Sequence, residues 1–152
     1  MVKVYSQLEG FPTELEQPAY YKLLHNVGEF TNKPDTELIV VISPEEKIVA
    51  AVVFFGDMQH YGSGGIAIQE KNSAGFRLLA VDPSARGHGL GKLLTIECLN
   101  RARNKKLSQV IIHTTKAMQQ AWNMYESLGF KRSEDLDFLQ QGFPVFGFRL
   151  KL

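Results

Sequence analysis

The sequence has few of the features that mark secreted, membrane or nucleic-acid-binding proteins. It contains a single cysteine, so no disulfide can form within the chain. Its N-terminus, Met-Val-Lys-Val, lacks the long apolar core of a signal peptide, and its longest apolar run, residues 48–55, is far too short to cross a bilayer. The 17 basic and 16 acidic residues nearly balance, which implies no general affinity for polyanions. We therefore expect a cytoplasmic protein with no nucleic-acid or membrane partner.

Patterns that bind metal are also missing. The chain has four histidines without metal-ligand spacing, namely His25, His60, His88 and His113. The lone cysteine, Cys98, falls on the apolar stripe of a predicted helix, so we interpret it as a core residue and not as a nucleophile. No metal requirement is predicted.

The sequence does contain enough apolar material for one folded domain. With 152 residues, 44% of them hydrophobic, residues 1–152 are expected to form a single domain with a sizeable core. Apolar periodicity predicts strands at 2–8, 36–42, 47–55, 76–81, 110–113, 130–132 and 145–152, and helices within 13–30 (with a start at Pro18), from about 90 onward, and at 117–128. The connection 56–75 exceeds the usual loop length, which favours a functional or mobile segment, and 133–143 is interpreted as an acidic loop.

Residues 76–94 combine more consistent signals than any other segment. Residues 76–81 form an apolar run with one charge, Arg77, which suits a strand buried on most of both faces. Asp-Pro at 82–83 ends the strand, glycines follow at 87, 89 and 91, and an apolar helical pattern begins near Leu90. Free N–H groups at a helix N-terminus form a binding site for phosphate or another anion. The segment therefore predicts an anion site, with a tight turn that binds nothing as the alternative.

Two familiar phosphate-binding loops do not fit this segment. The P-loop requires Gly and Ser or Thr at positions that are Arg86 and Leu93 in this chain. The dinucleotide-binding fingerprint, started at Gly87, requires a glycine where Lys92 stands. Both nucleotide loops are excluded.

The loop Arg86-Gly87-His88-Gly89-Leu90-Gly91 instead resembles the pyrophosphate loop of the GNAT superfamily, the N-acetyltransferases that use acetyl-coenzyme A. The family pattern is Gln or Arg, two residues, Gly, one residue, then Gly or Ala, and this loop satisfies it. A second stretch, Ala121 to Phe130, is similar to the family's A-x-x-x-Y-x-x-x-G-F motif. Two motifs in the family's order and spacing, within residues 76–132, are far more specific than either alone.

The resemblance implies an α+β fold whose mixed, mostly antiparallel sheet is flanked by helices and splays open beside its central strand, with acetyl-coenzyme A in the cleft. Backbone groups at the end of that strand would hold the pantetheine arm, and the loop amides, with charge from a lysine, would surround the pyrophosphate. The cofactor-binding residues implied in this way are Leu79, Ala80, Val81, Arg86, Gly87, His88, Gly89, Leu90, Gly91, Lys92, Ala121 and Tyr125. A homodimer is among the assemblies that the family forms.

The resemblance also implies direct attack of a primary amine, from a small molecule or a peptide N-terminus, on the thioester, with no covalent enzyme intermediate. A backbone N–H near Val81 would stabilise the charge on the carbonyl oxygen. Tyr125, at the motif's tyrosine position, is the candidate general acid for the leaving thiolate, with a purely structural core tyrosine as the alternative. The strand carries no carboxylate, so the base stays open among His113, Glu70, Asp137 and water.

One position departs from the family pattern. Many relatives have Asn seven residues before the tyrosine, where this chain has Met118. One hydrogen bond to the cofactor is therefore missing unless Thr114 or Asn123 supplies it.

The acidic loop bears on the acceptor. Glu134, Asp135 and Asp137 lie in a loop that borders the acceptor entrance in the family, so a cationic amine is expected, with a merely solvated loop as the alternative. The alternative function is a non-catalytic acyl-coenzyme A binding module that regulates a partner and does not use Tyr125.

Overall fold

In the computed structural model, which describes residues 1–152, the sheet begins with a hairpin rich in β-branched residues. β1 (Thr36–Ile42) and β2 (Ile48–Phe55) pair antiparallel over their whole length. The Ser43 amide closes the turn between them by donating to the carbonyl of Lys47 at 2.8 Å. The predicted hairpin is confirmed.

Five further strands complete a seven-stranded sheet. They are β3 (Ser73–Val81), β4 (Gln109–Thr114), β5 (Lys131–Arg132), β6 (Phe138–Gln140) and β7 (Phe143–Lys151). The strand order is β1-β2-β3-β4-β7-β5, and β6 pairs with β7. Every pair is antiparallel except β3 with β4. The mixed, mostly antiparallel sheet is as predicted.

Four α-helices accompany the sheet: α1 (Val2–Tyr5), α2 (Pro18–His25), α3 (Leu90–Asn104) and α4 (Gln119–Ser127). Pro18 begins α2 as predicted, because the first helical position does not need an N–H donor. α3 starts at Leu90 and α4 lies inside the predicted range 117–128. None of these helices has both the length and the apolar character needed to span a membrane.

Each face of the sheet is covered by its own apolar core. On one face, Leu94 and Cys98 of α3 and Tyr125 of α4 pack against strand residues that include Phe76. On the other face, α1, α2 and several 3₁₀ turns cover strand residues that include Phe55. The two cores meet only through the sheet, so any opening between strands connects the α3/α4 side with the α1/α2 side.

The prediction of a first strand at residues 2–8 is wrong. Residues 2–5 form the short helix α1, and Tyr5 is buried against Phe11 and Tyr20, with ring centroids 5.6 and 6.2 Å away. The Tyr5 hydroxyl also donates to the Leu79 carbonyl at 3.2 Å. These contacts with distant parts of the chain outweigh the local alternation of apolar residues.

Two connections are more ordered than predicted. The acidic segment 133–143 contains a 3₁₀ turn (Glu134–Leu136) and the three-residue strand β6. The long connection 56–72 contains two 3₁₀ turns, Met58–His60 and Ala67–Gln69, and Met58, Tyr61 and Ala67 are at most 1% exposed. The long connection is therefore packed onto the α1/α2 face at several points.

Candidate active site

A run of free backbone amides lies in the loop between β3 and α3 and in the first turn of α3. Asp82 closes a 3₁₀ turn by accepting from the amide and hydroxyl of Ser84 at 3.0 and 2.7 Å. The chain then passes through Gly87 and Gly89, whose φ angles of 81° and 72° favour glycine. None of the amides from residue 87 to residue 92 donates to a backbone acceptor, and the first helical bond runs from the Leu93 amide to the Gly89 carbonyl at 2.9 Å. Six consecutive donors at the positive end of a helix suit an anion.

Side chains complete this loop. The His88 ring nitrogen Nδ1 donates to the carbonyls of Ala85 and Arg86 at 3.2 and 3.0 Å, which fixes the loop's curvature. Arg86 and Lys92 are exposed on either side of it and form no ion pair. A Cβ added at Gly91 would lie in ordinary contact with Val81 and with Leu79, at 3.8 and 3.9 Å, so the start of α3 sits directly on the end of β3.

β3 and β4 diverge beside this loop. They pair only at Ser73↔Gln109, Ala74↔Val110 and Gly75↔Ile111, although β3 continues to Val81. From Phe76 onward, β3 is therefore bonded to β2 alone. The edge that faces β4 is open, as the predicted splay requires.

A β-bulge lies in the open part of β3. Leu78 and Leu79 together oppose one β2 residue, between the pairs Val53↔Arg77 and Ala51↔Ala80, and Leu78 has a φ of 59°. In a regular strand Phe76, Leu78 and Ala80 would share one face. Here Phe76 belongs to the α3/α4 core, whereas Leu78 and Ala80 belong to the α1/α2 core. From the bulge onward, each side chain of β3 therefore points to the face opposite the one that regular alternation would give it.

The bulge and the strand pairing also decide which backbone groups face the opening. The Asp82 amide donates to Val49 of β2 at 2.8 Å, and backbone groups alternate between the two edges of a strand. Leu79 and Val81 therefore direct their amides toward the open edge, and Ala80 directs its own toward β2. The Leu79 carbonyl on this edge accepts the bond from Tyr5.

Tyr125 stands at the start of the splay on the α3/α4 side. Its ring packs edge-to-face on Phe76 and at 64° to Phe130, with centroids 5.8 Å away in both cases, and the residue is 5% exposed. Burial raises the pKa of Tyr125 above its usual value, and negative charge on Tyr61 or Cys98 would raise it further. The hydroxyl is thus protonated at neutral pH. Ala121, one turn earlier on α4, is half-buried against the same core.

A pocket opens on the opposite side of the bulge, toward α1 and α2. Its volume is about 70 Å³, and Arg77 and Leu78 line it from β3, while His113, Thr114 and Thr115 line it from the end of β4. Aromatic side chains from α1, α2 and β7 form much of its wall. The pocket and the amide loop therefore flank the same opening in the sheet.

Comparison with known proteins agrees with this arrangement. The model of the Acetyltransferase (GNAT) family matches residues 2–130. The chain belongs to the GNAT acetyltransferase family. Mycothiol acetyltransferase of Thermobispora bispora is 44% identical over 55 residues, which make up 36% of this chain and 19% of that protein. The chain thus spans about a fifth of the length of the mycothiol acetyltransferases that it matches.

Solved GNAT structures share the fold at low sequence identity. A GNAT family acetyltransferase from Staphylococcus aureus superposes with a TM-score of 0.70 at 16% identity, covering 99% of this chain and 88% of that one. The PaiA N-acetyltransferase from Thermoplasma acidophilum, solved in complex with coenzyme A, gives 0.67 at 14% identity, covering 99% and 90%. The predicted fold class and family are confirmed.

Both nitrogens of His113 are occupied in this GNAT acetyltransferase. Nε2 lies 2.9 Å from the Leu136 carbonyl, which can only accept, so Nε2 carries the proton, and Nδ1 accepts from the Tyr61 hydroxyl at 3.0 Å. Burial lowers the pKa of His113 to about 4, and the charge of Arg77 acts in the same direction. The interpretation of His113 as a histidine satisfied within the fold agrees with this geometry, and a role as base near neutral pH does not.

Both carboxylate candidates for the base are held by arginines. Arg132 donates two hydrogen bonds to the Asp137 carboxylate, at 2.9 and 2.7 Å, and the Gly147 amide donates a third at 2.7 Å. Burial opposes ionisation of Asp137, but these bonds outweigh it and lower the pKa of the carboxyl. Glu70 pairs with Arg149 in the same way. Neither carboxylate lines the pocket.

The acidic loop carries less free charge than its sequence suggests. Asp135 pairs with Arg149 at 2.7 Å, as Asp137 does with Arg132, which leaves Glu134 as the one carboxylate of the three without an arginine. The pocket wall itself contains no carboxylate. The structure therefore gives no support to the expected cationic acceptor.

The position where relatives carry Asn has a different use in this chain. Met118 lines the pocket and packs against the α1/α2 core. Of the two proposed substitutes, Thr114 has a buried hydroxyl without a hydrogen-bond partner, whereas exposed Asn123 accepts from Gln119 at 2.9 Å. Only Thr114 of the two thus has a free hydroxyl, and this residue lines the same pocket as Met118.

Cys98 is fully buried, and burial raises the pKa of its thiol to about 12, in agreement with a core role. No group of three or more His, Cys, Asp or Glu side chains is arranged to hold a metal ion.

The residue that sequence reasoning missed is Arg77. Its signal was present, since it is the one charge in an otherwise apolar strand, but the bulge that places Leu78 beside it on the pocket side has no sequence signature.

Proposed function

We propose that residues 1–152 form an N-acetyltransferase domain that transfers an acetyl group from acetyl-coenzyme A to a primary amine by direct attack. The observation that carries this proposal is the run of six free amides at the start of α3, set against the open edge of bulged β3. A ligand that joins an anionic group to an extended arm fits this combination, because the anion would bind the amides and the arm would pair with the open strand edge. A tight turn that binds nothing would not need six unpaired donors.

The residues present fit the cofactor. The amides of residues 87–92 would hold its pyrophosphate, with Arg86 and Lys92 adding charge from the rim. The open edge at Leu79 and Val81 would pair with the amide groups of the pantetheine arm, beside Ala80 and Ala121. Acetyl-coenzyme A supplies the acetyl thioester: an N–C bond forms, the C–S bond breaks, the sulfur gains one proton, and the ammonium form of the acceptor loses two in all.

Backbone amides beside the bulge would stabilise the negative charge that develops on the carbonyl oxygen. The positive φ of Leu78 re-aims the peptide groups that follow it, and the Leu79 and Val81 amides face the opening. Fixed donors of this kind need no reorganisation during the reaction, and losing one typically costs about 10²- to 10³-fold in rate. The site therefore needs no charged side chain at this position.

Tyr125 is the proton donor in this proposal. Burial raises its pKa, which by itself makes proton transfer to a thiolate harder. A thiolate released into the same buried cleft is desolvated too, so its proton affinity rises in parallel. The two pKa values therefore shift together, and Tyr125 can still act as acid although the site does not lower its pKa.

The acceptor loses its first proton to water. His113, Glu70 and Asp137 are each engaged by other groups, and the tyrosines that line the pocket stay protonated. The pocket also lacks a carboxylate that would stabilise an ammonium ion. An acceptor amine therefore enters the reaction in its neutral form without help from a side-chain base.

Coenzyme A binding by the wild type and two glycine variants tests the cofactor site. Gly89→Ala adds a Cβ that meets no protein atom within 4 Å, but the left-handed φ of 72° disfavours alanine there, so the loop amides that would hold the pyrophosphate are displaced. In calorimetry we expect this variant to bind coenzyme A about tenfold more weakly than the wild type, or weaker still. A tenfold loss is equivalent to the loss of about one charge-assisted hydrogen bond. Gly28→Ala, in a position with no atom within 4 Å of the added Cβ, is the matched control and should bind normally.

The rival function, a regulatory acyl-coenzyme A binding module, predicts binding without turnover. Free-thiol release from acetyl-coenzyme A across a panel of primary amines and peptide N-termini separates the two. Acceptor-dependent thiol release supports the acetyltransferase, and binding without release from any acceptor supports the module. Equal coenzyme A binding by the Gly89 and Gly28 variants would remove the pyrophosphate assignment.

A further inference from the structure

Arg77 is a half-buried arginine without a carboxylate partner. The other half-buried arginines, Arg101, Arg132 and Arg149, all pair with aspartate or glutamate. Arg77 makes one hydrogen bond, from Nη1 to the Tyr61 carbonyl at 2.8 Å, and its guanidinium lies 5.6 Å from the Tyr61 ring centroid. A guanidinium has five N–H donors, so four remain without a partner in the protein. These donors are available to a ligand that enters the pocket.

The fold holds this guanidinium at the reaction site. The bulge places Arg77 and Leu78 on the same face of β3, so both line the pocket. Arg77 is two residues from Leu79, whose amide faces the opening. A group that binds Arg77 would therefore lie on the pocket side of the opening that this amide faces.

Two hydroxyl groups of the pocket also lack hydrogen-bond partners. The hydroxyls of Thr114 and Thr115 are buried, with the residues 2% and 5% exposed, and are the two buried side-chain atoms that make no hydrogen bond. Both residues line the pocket. Buried polar groups in folded proteins are nearly always satisfied, so these two hydroxyls point to a polar ligand.

The pocket wall is otherwise aromatic. Tyr5, Phe11 and Tyr20 form a cluster with ring centroids 5.6 to 6.2 Å apart, and Phe143 extends it at 5.8 Å from Phe11. These residues come from α1, the connection between α1 and α2, α2 and β7, so the tertiary fold assembles the cluster. An apolar side chain on the acceptor would pack against it.

The electrostatics of the pocket oppose a cationic acceptor. Arg77 is the one charged residue that lines it, because His113 is neutral and no aspartate or glutamate contributes. The charge of Arg77 already lowers the pKa of His113. The same charge would favour the neutral form of a nearby acceptor amine and attract an acceptor carboxylate.

We propose that this pocket selects an acceptor that carries a carboxylate close to its amine and an apolar side chain, as a free apolar α-amino acid does. The Arg77 guanidinium binds the carboxylate, the hydroxyls of Thr114 and Thr115 bind remaining polar atoms, and the aromatic cluster holds the side chain. This inference rests on the proposed acetyl transfer for its catalytic meaning, but the binding itself does not require acetyl-coenzyme A.

Calorimetry on the cofactor-free protein tests this selectivity with matched ligands. Alanine, leucine, methionine and phenylalanine serve as probes, and the amide of each amino acid repeats its skeleton without the carboxylate, as phenethylamine also does for phenylalanine. We expect at least one of the amino acids to bind, and its carboxylate-free analogue to bind about 10- to 100-fold more weakly, because a charge-assisted pair is lost. Binding by none of the four, or equal binding of phenylalanine and phenethylamine, would overturn the proposal.

Variants locate the effect at Arg77. Arg77→Gln should abolish the preference for the carboxylate ligand, whereas Arg103→Gln, which removes the same charge from an exposed position in the last turn of α3, should keep it. A preference that survives in Arg77→Gln contradicts the assignment. Thiol-release assays on the same ligands separate this inference from the proposed function: Arg77-dependent binding without thiol release leaves the carboxylate site standing and removes acetyl transfer.

Discussion

At the scale of single residues, the protonation state of Tyr125 follows from its surroundings. Phe76 and Phe130 enclose the ring on two sides, and burial keeps the hydroxyl protonated far above neutral pH. A residue of this kind suits proton donation but not proton abstraction. The raised pKa of Tyr125 is therefore compatible with the proposed donation of a proton to the leaving group.

Replacing Tyr125 with phenylalanine tests this assignment. The ring contacts with Phe76 and Phe130 survive, so stability and coenzyme A binding should stay near wild type. kcat should fall by about 10²- to 10⁴-fold, the usual contribution of a positioned acid. Steady-state kinetics with the best acceptor measures the change.

Tyr21→Phe is the matched control for that experiment. Its hydroxyl donates to the Pro12 carbonyl at 2.9 Å, away from the splay. Loss of this bond should cost about 1 kcal/mol of stability and leave kcat unchanged. Wild-type turnover in Tyr125→Phe, with normal coenzyme A binding, would show that Tyr125 is a structural core residue.

Single residues also show which parts of the site can be predicted from sequence. Arg86, Gly89 and Gly91 lie in a contiguous motif, and a glycine with positive φ leaves a direct signature in the sequence. Arg77 is different, because what makes it notable is that no carboxylate pairs with it. That absence depends on where Glu70 and Asp137 find their own arginines, which only the tertiary structure shows.

At the scale of elements, strongly periodic segments were predicted well, whereas the short elements α1 and β6 were not. The hairpin β1–β2 and the helix α3 carry enough residues for the apolar pattern to decide their type. α1 and β6 have four and three residues, so contacts such as Tyr5 with Phe11 decide their conformation. Local preference is weak in such short segments compared with tertiary packing.

The long connection 56–72 packs against the sheet in a way that the sequence does not predict. Gly75 in β3 leaves space for it: a Cβ there would lie 2.8 Å from Cε2 of Tyr61 and 2.9 Å from Sδ of Met58. Tyr61 in turn holds both His113 and Arg77. The glycine therefore links the packing of the connection to the geometry of the pocket.

Gly75→Ala should therefore destabilise the protein. Tyr61 and Met58 are fully buried and cannot retreat into solvent, so we expect a loss of about 1–3 kcal/mol in the free energy of unfolding, as in other overpacked cores. Urea unfolding measures it. Gly28→Ala, which meets no atom within 4 Å, should be neutral or slightly stabilising. An equal free energy for both variants would show that the connection is not packed against Gly75.

At the scale of the whole molecule, the splay joins two surfaces of opposite chemistry. The α3/α4 side offers amides and exposed cations at residues 86–92, and the α1/α2 side offers an aromatic pocket with one guanidinium. Both sides lack free carboxylates at the opening. The arrangement favours two anionic or neutral substrates that approach the gap from opposite faces, and it places no side-chain base between them.

The pH dependence of activity follows from this arrangement. His113 has a pKa of about 4, so it is neutral throughout the pH range 5–9 and cannot produce an inflection near pH 6.5. Only the neutral form of the acceptor attacks, so log kcat/KM should rise by one unit per pH unit until the pH reaches the pKa of the free amine. Acceptors whose amine pKa values differ by a unit or more should shift the inflection by the same amount. A common inflection near pH 6.5 for all acceptors would instead reveal a protein base, and the assignment of deprotonation to water would then be wrong.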